Sequence, residues 1–407
     1  MIVLAQRTVL WTGATVLLSW LLPRRLQMPA ATLSTCLFLA LLDRVAFGLL
    51  ALQIPVVLWA LPRVRRRGVL TGALVALVLL VLAAFRLAGE LEPPARVAMP
   101  LGISYMAFRL VHLLVDAYAG RLPAHDRAGV LAYLLFLPAL AAGPIHRFPA
   151  FLVDLRRRRF DPDLLGRGLE RALHGYAKLV ILRNLFILPI LLPALGGGGT
   201  FLDDTLAAAG RWADLYVCFS GASDLAIGVA LAMGFRLQEN FRFPFLAGSI
   251  PDFWRRWHMS LTLWCRDYVF APVAAATRRP LLAVTVAMLV IGLWHECSLR
   301  YLLWGLYHAA GILLVQRLAA RGWTSTAPWL RPLGTAATLL FVVSSFPVTS
   351  RLDLALKAHL PWRNHARPAF APSAPAPGDR AGAVVVHPAD PGDPGLLPAQ
   401  RRWLPVP

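Results

Sequence analysis

Lysine and cysteine are almost missing from these 407 residues. Lys178 and Lys357 are the only lysines, so the basic charge belongs to arginine. The four cysteines, Cys36, Cys218, Cys265 and Cys297, show no pairing pattern and sit among apolar residues. They read as free core side chains, which excludes a disulfide-stapled scaffold. Acidic residues are scarce as well, 21 against 41 basic, leaving a net charge of +20. Charged residues make up only 15% of the chain, too few for a soluble protein of this length. No phosphate-cradling glycine loop, nucleotide fingerprint or metal-ligand spacing occurs, so neither a metal nor a tightly bound cofactor is expected. There is no soluble basic domain to bind nucleic acid. The arginines therefore read as topological, holding loops on the cytoplasmic side of a membrane.

What is plentiful is apolar: 58% of residues are hydrophobic and the mean hydropathy is +0.60. The chain is expected to be an all-α, polytopic integral membrane protein. Apolar runs fall at 2–22, 30–42, 46–62, 69–88, 98–119, 130–153, 175–195, 206–235, 281–299, 301–318 and 333–348. That predicts about ten transmembrane or re-entrant helices. The 30–42 and 333–348 runs fall short of the ~20 residues that a full span needs, so they are expected to be tilted, re-entrant or buried in protein. The first run ends at Pro23-Arg24-Arg25 without a small-residue cleavage site and reads as a retained helix. Arginines at 24–25, 63–67 and 156–159 should be cytoplasmic, and Glu90 and Glu92 should face outward. An outward N-terminus satisfies all of these if 130–153 dips into the membrane and returns. Pro138, Gly143 and Pro144 support such a dip, because broken backbone at membrane depth is tolerated only where protein or a water cavity satisfies it. Eleven of the 32 prolines fall after residue 360. This divides the chain into a membrane domain, 1–360, and a disordered Pro/Ala-rich tail, 361–407.

The groups able to do chemistry gather in 250–308. Pro251 suits the first turn of a helix and Asp252 complements its positive end. Trp254, Trp257, His258, Leu261, Trp264 and Tyr268 recur at three- and four-residue steps, which predicts one helix lying in the membrane surface with these residues on a shared face. Arg255, Arg256 and Arg266 can then reach lipid or substrate phosphates. The apolar run 281–294 delivers His295 to membrane depth, where an ionisable group is costly and so marks function. Elsewhere, Ser104 and Arg109 are polar groups inside an apolar run, open to helix–helix hydrogen bonding or to substrate contact. Asp224 needs a partner, either an arginine or a substrate hydroxyl. His112 and His308 read as packing or hydrogen-bonding residues, and His146 as an interfacial contact at the mouth of the re-entrant loop.

Several of these stretches resemble the membrane-bound O-acyltransferase family, in the branch of alginate-type polysaccharide O-acetyltransferases and the teichoic-acid D-alanyl transfer protein. The resemblance lies in Phe253-Trp-Arg-Arg-Trp-His258, Arg266-Asp-Tyr268, Trp294-His295, Gly102-Ile-Ser-Tyr105, Gly143-Pro-Ile145 with Arg147, and Phe219-Ser-Gly-Ala-Ser-Asp224. It departs at Cys218, where the family often has Asp, at Glu296, where it usually has Gly, and at 271–279, which lacks the alginate branch's Gly-Gly-Asn-Arg turn. Those last residues and the Trp-His-Met-Ser wording lean toward the D-alanyl branch. The resemblance implies helices around a central cavity or funnel in a bacterial inner membrane. It implies acyl transfer from a cytoplasmic thioester, acetyl-CoA or an acyl carrier protein, to a hydroxyl of an extracytoplasmic polysaccharide or cell-wall polymer. It places the general base on His295 and a second polar group on His258. A second, extracytoplasmic acyltransferase is a further implied partner. The rivals are a lipid or acyl transporter, which midplane charges and broken helices would also suit, and a non-catalytic scaffold for a polysaccharide synthase.

Overall fold

The computed structural model describes residues 2–89, 99–140, 143–195, 199–322 and 330–358, with no strand among them. The compact unit is Met1–Asp353. The loop bearing Glu90 and Glu92 and the tail 361–407 lie outside the described residues.

Four helices open the chain: α1 (Ile2–Leu21), α2 (Arg24–Leu42), α3 (Arg44–Ala60) and α4 (Gly68–Gly89). Pro23 separates the first two, and a buried hydroxyl pair, Thr15 and Ser34 at 2.7 Å, joins them. Asp43 accepts the Ala46 N–H at 2.9 Å to cap α3, and its second oxygen accepts the Leu101 N–H at 2.7 Å. One carboxylate thus anchors the entry to α5 (Ile103–Tyr118), which is buried on nearly every face and is the core of the fold.

The 130–153 segment is broken. It holds α6 (Arg127–Leu134), a 3₁₀ turn at Leu137–Ala139 and α7 (Phe148–Arg157). The 8 residues of α6 rise only about 12 Å. Backbone carbonyls freed by the break find Arg109. Its buried guanidinium donates to the carbonyls of Leu134 at 2.8 Å, Tyr133 at 3.5 Å and Ala139. Satisfying main chain without water is the condition for irregular structure at this depth.

Next comes a long rod, α8 (Pro162–Ala177), a segment of wider π-type turns (Lys178–Leu191) and α9 (Leu192–Ala194), laid along α10 (Phe201–Ala232). Glycines let the two backbones touch. A Cβ on Gly175 would meet the Gly221 carbonyl at 2.6 Å, and one on Gly168 would meet that of Gly228 at 2.7 Å. Acid–base pairs flank this seam, Arg171 and Lys178 with Asp224, and Arg183 with Asp214.

The last third contains α11 (Ile250–Trp254), α12 (Met259–Cys265), a π-type turn (Arg266–Phe270), α13 (Ala271–Thr277), α14 (Pro280–His295), α15 (Leu299–Ala320) and α16 (Arg331–Ala358). Among the described residues, six helices are long and apolar enough to cross a membrane and three shorter ones are apolar. Two of the six contain the short runs. The 30–42 run lengthens to the 19 residues of α2 by recruiting the polar turn at Arg24-Arg25-Leu26-Gln27, and the 333–348 run extends at both ends into α16. Helix hydrogen bonding carries on past the point where hydropathy stops.

Candidate functional site

A cavity of about 160 Å³ opens between α10, α11 and the turn after it, the end of α14, α15 and α16, and both singled-out histidines line it. The rest of its wall is largely aromatic, with Trp212, Phe219, Trp254, Trp257 and Trp304 prominent.

His295 is the last residue of α14. Gly292, one turn earlier, lets the main chain of α15 come close, since a Cβ there would collide with the Tyr301 carbonyl. The opposing Gly305 does the same, its missing Cβ leaving 2.7 Å to the Met288 carbonyl. This tight crossing sets the imidazole among Trp294, Tyr301 and Trp304, with ring centroids at 4.7, 5.8 and 5.7 Å. The main chain of His295 is held from a third helix: Arg86 of α4 donates to its carbonyl at 2.8 Å and to Ser104 Oγ at 3.0 Å.

His258 reaches the cavity differently. The expected single surface helix over 250–268 does not form; it stops at Trp254 and restarts at Met259. His258 sits between, in the left-handed region at φ 42°, an uncommon conformation that persists only where the surroundings impose it. The surroundings here are Asn240, which is fully buried. Its carbonyl accepts the Met259 N–H at 2.9 Å, its Oδ1 accepts the Ser260 hydroxyl at 2.6 Å, and its Nδ2 donates to Ser223 at 2.9 Å. Trp254, Trp257, His258, Leu261 and Trp264 are all buried, and none lies on an open membrane face. A repeat of three and four residues marks a face to be covered, and protein covers this one.

The remaining candidates divide. Arg256 is engaged by Asp252 at 2.9 Å and by the Arg242 carbonyl, whereas Arg255 and Arg266 have side chains 66% and 61% exposed. None of the three lines the cavity. Asp224 accepts Arg171 at 2.7 Å and Lys178 at 2.6 Å, and it does not line the cavity. Arg109 serves the broken segment and Ser104 serves Arg86, so neither is a cavity contact. Glu296 is taken up by Ser298 and, at 2.8 Å, by Arg300. His146 is buried among Tyr133, Phe136 and Phe151, away from any mouth.

The Arg266-Asp-Tyr268 motif is a clamp. Asp267 pairs with Arg147 at 3.0 Å, and Tyr268 donates to Asp116 at 3.0 Å while meeting His112 Nδ1 at 2.6 Å. His112 Nε2 accepts the Phe148 N–H at 3.0 Å, so its proton rests on Nδ1 and points into that network.

The sequence reading missed Arg86, Asn240 and the placing of His308. Arg86 had a signal, a lone cation in the 69–88 run. His308 lines the cavity, is 1% exposed, and neither ring nitrogen has a partner among the described residues. The same holds for His258 Nε2 and for the indole nitrogens of Trp212 and Trp254. Buried polar atoms are nearly always satisfied by protein, water or ligand, so these groups make the cavity wall able to hydrogen-bond whatever occupies it.

Two histidines on an aromatic cavity, one at a helix end and the other on a strained turn, are the features to compare with known proteins. Residues 205–350 match the model of the membrane-bound O-acyltransferase family, a stretch that contains His258, His295 and His308. The teichoic acid D-alanyltransferase of Bacillus subtilis is 33% identical over 276 residues, 63% of this chain and 68% of that protein. The chain belongs to the membrane-bound O-acyltransferase family. Other members aligned with it include the probable alginate O-acetylase AlgI of Pseudomonas aeruginosa, 35% identical over 257 residues, 61% of this chain and 48% of the relative. The teichoic acid D-alanyltransferase of Streptococcus thermophilus is 31% identical over 233 residues, 53% of this chain and 56% of the relative. The chain thus spans about half the length of the alginate O-acetylases it matches.

Proposed function

We propose that this multi-pass membrane protein of a bacterial inner membrane is an O-acyltransferase. It transfers a short acyl group from a cytoplasmic thioester, carried by coenzyme A or an acyl carrier protein, to a hydroxyl of a cell-envelope polymer. The observation that carries this reading is the convergence of His295 and His258 on one aromatic cavity. A hydroxyl is a weak nucleophile until its proton has somewhere to go. The His295 imidazole takes that proton as the oxygen attacks the thioester carbonyl carbon, a service worth about 10²–10⁴-fold. The tetrahedral centre then collapses, the C–S bond breaks, and the departing sulfur recovers the proton. His258, held rigidly by Asn240, offers Nε2 to the acyl carbonyl or the acceptor.

The relatives suggest the acceptor class. One group is named for acetylation of alginate and the other for D-alanylation of teichoic acid. Among the three compared above, the D-alanyltransferase of Bacillus subtilis is the one of which this chain covers the largest share. Both acyl groups are small, which suits a cavity of about 160 Å³. A second acyltransferase on the outer face is a partner to look for.

The test uses purified protein in lipid, supplied with labelled acetyl thioester, with D-alanyl carrier protein, and with polymers of each type. Label appearing on a polymer, and its disappearance in His295→Gln, supports the reading. Label crossing the membrane without becoming covalently attached would favour a transporter.

A further inference from the structure

Far along the chain from the histidines, a second hollow of about 460 Å³ lies between α2, α6 and α7. That is the size of a ligand pocket, which typically runs ~300–1,000 Å³. Its wall is mainly hydrocarbon, with Met28, Leu33, Leu131, Leu135 and Leu155 among the lining residues, and Cys36 sits on it. Its edge is basic. Arg24 and Arg25 stand one turn before Met28 on α2, Arg127 lies between the lining residues Asp126 and Ala128, and Arg156 follows Leu155. These groups are physically adjacent: Arg24 donates to the Arg156 carbonyl at 3.3 Å, and Arg156 donates to the Ala124 carbonyl.

What sets this edge apart is its uncancelled charge. Arg24, Arg25, Arg127, Arg156 and Arg157 are exposed, and none forms an ion pair among the described residues. The acids nearby are already committed to backbone. Asp126 accepts the Gly129 N–H at 2.8 Å, Asp154 accepts the Arg236 N–H at 2.8 Å, and Asp161 caps α8. Arg158, within the same run, behaves otherwise. It is buried over the Trp20 ring at 3.8 Å, and burial, helped by the charge of Arg24, pushes it down to about 10, so it remains charged at neutral pH. It adds to the local positive field without being free to bind.

We propose that this groove is a binding site for an anionic phospholipid, one acyl chain against Leu33, Leu131 and Leu155 and the headgroup phosphate on the Arg24, Arg25 and Arg127 guanidinium groups. An apolar trough ending in unpaired arginines matches the two halves of such a molecule. Phosphate accepts from a guanidinium fork with favourable geometry, and the inner leaflet is the one rich in anionic lipid.

The test uses the intact protein with Cys218, Cys265 and Cys297 replaced by Ser, leaving Cys36 as a reporter on the groove wall. The protein is reconstituted in nanodiscs of dioleoyl phosphatidylcholine alone or mixed equally with dioleoyl phosphatidylglycerol. Maleimide labelling of Cys36 is timed in each, and retained lipid is identified by native mass spectrometry. The expected result is several-fold slower labelling with phosphatidylglycerol and its selective retention. Arg24→Gln/Arg25→Gln/Arg127→Gln should remove both effects, and Thr32→Trp, which plugs the groove, should remove retention while leaving the arginines intact. Equal protection by the two lipids would mean an ordinary annular chain and overturn the proposal. So would retention of phosphatidylglycerol by the arginine variant, or rapid Cys36 labelling in both discs.

Discussion

Arg86 donates to the main-chain carbonyl of His295 at 2.8 Å across 209 residues of sequence. The same guanidinium holds Ser104 of the core helix at 3.0 Å and lies over the Trp294 ring at 5.8 Å. One side chain therefore fixes the end of α14, the residue before His295 and the core helix α5. This makes Arg86 a positioning residue, because it touches the backbone of His295 and does not line the cavity.

Arg86→Gln should lower kcat at least ten-fold while the KM for the thioester changes little, since no cavity-lining side chain is removed and only the His295 imidazole is displaced. Arg86→Lys, which keeps a charge but not the fork, should recover part of the rate. Steady-state kinetics on protein in lipid checks this. A matching rise in KM would assign Arg86 to donor binding.

His295→Gln keeps a hydrogen-bonding side chain but cannot accept a proton near neutral pH. Transfer should fall by about 10²–10⁴-fold, with thioester binding still measurable. Single-turnover transfer to polymer, normalised to folded protein, reads it. A near-normal rate would mean that the imidazole only hydrogen-bonds.

Asp224→Asn removes the carboxylate that Arg171 and Lys178 share, leaving Arg171 to Glu239 and Lys178 without an ion-pair partner among the described residues. The loss should appear as about 1–3 kcal/mol of stability, within the usual range for hydrogen bonds to charged groups. Specific activity of the surviving folded protein should stay close to normal. A drop in specific activity at unchanged melting temperature would return Asp224 to the substrate.

Gly292→Ala forces a methyl into the Tyr301 carbonyl and should cost about 1–3 kcal/mol as an overpacked contact. Because the strain falls one turn from His295, kcat should suffer as well. Gly72→Ala, with open space around the added methyl, is the control and should be silent in both assays.

Arg109→Met leaves the carbonyls of Leu134 and Ala139 without a donor at membrane depth. The expected cost is about 1–3 kcal/mol for each unsatisfied group, seen as proteolytic cutting or rapid hydrogen exchange confined to 134–147. Uniform destabilisation of the whole chain, with no local opening there, would refute this role.

The helical, membrane-embedded class was legible because apolar run length and charge scarcity are properties of the chain alone. The breaks at Pro138 and Gly143 were legible too, since those residues disrupt helices in any context. His295 stood out because an imidazole at the end of fourteen apolar residues, 281–294, has no solvation reason to be there. The run lengths of α2 and α16 were not legible from hydropathy, because a helix continues through polar turns as long as its hydrogen bonds do.

What the residues by themselves determined is thus the solvent, the all-helical class and the presence of a costly histidine. Only tertiary structure decided which polar groups were already engaged. Asp224 and Arg109 each stand out as a polar group amid oil, and each finds partners that lie close only after folding. Tertiary structure alone also broke the 250–268 helix, since Asn240, 18 residues before His258, captures the Met259 N–H and turns the histidine inward. Periodicity shows that a face will be buried. Which partner buries it, and which hydrogen bond bends the chain there, depends on contacts between segments remote in sequence, and no local pattern encodes them.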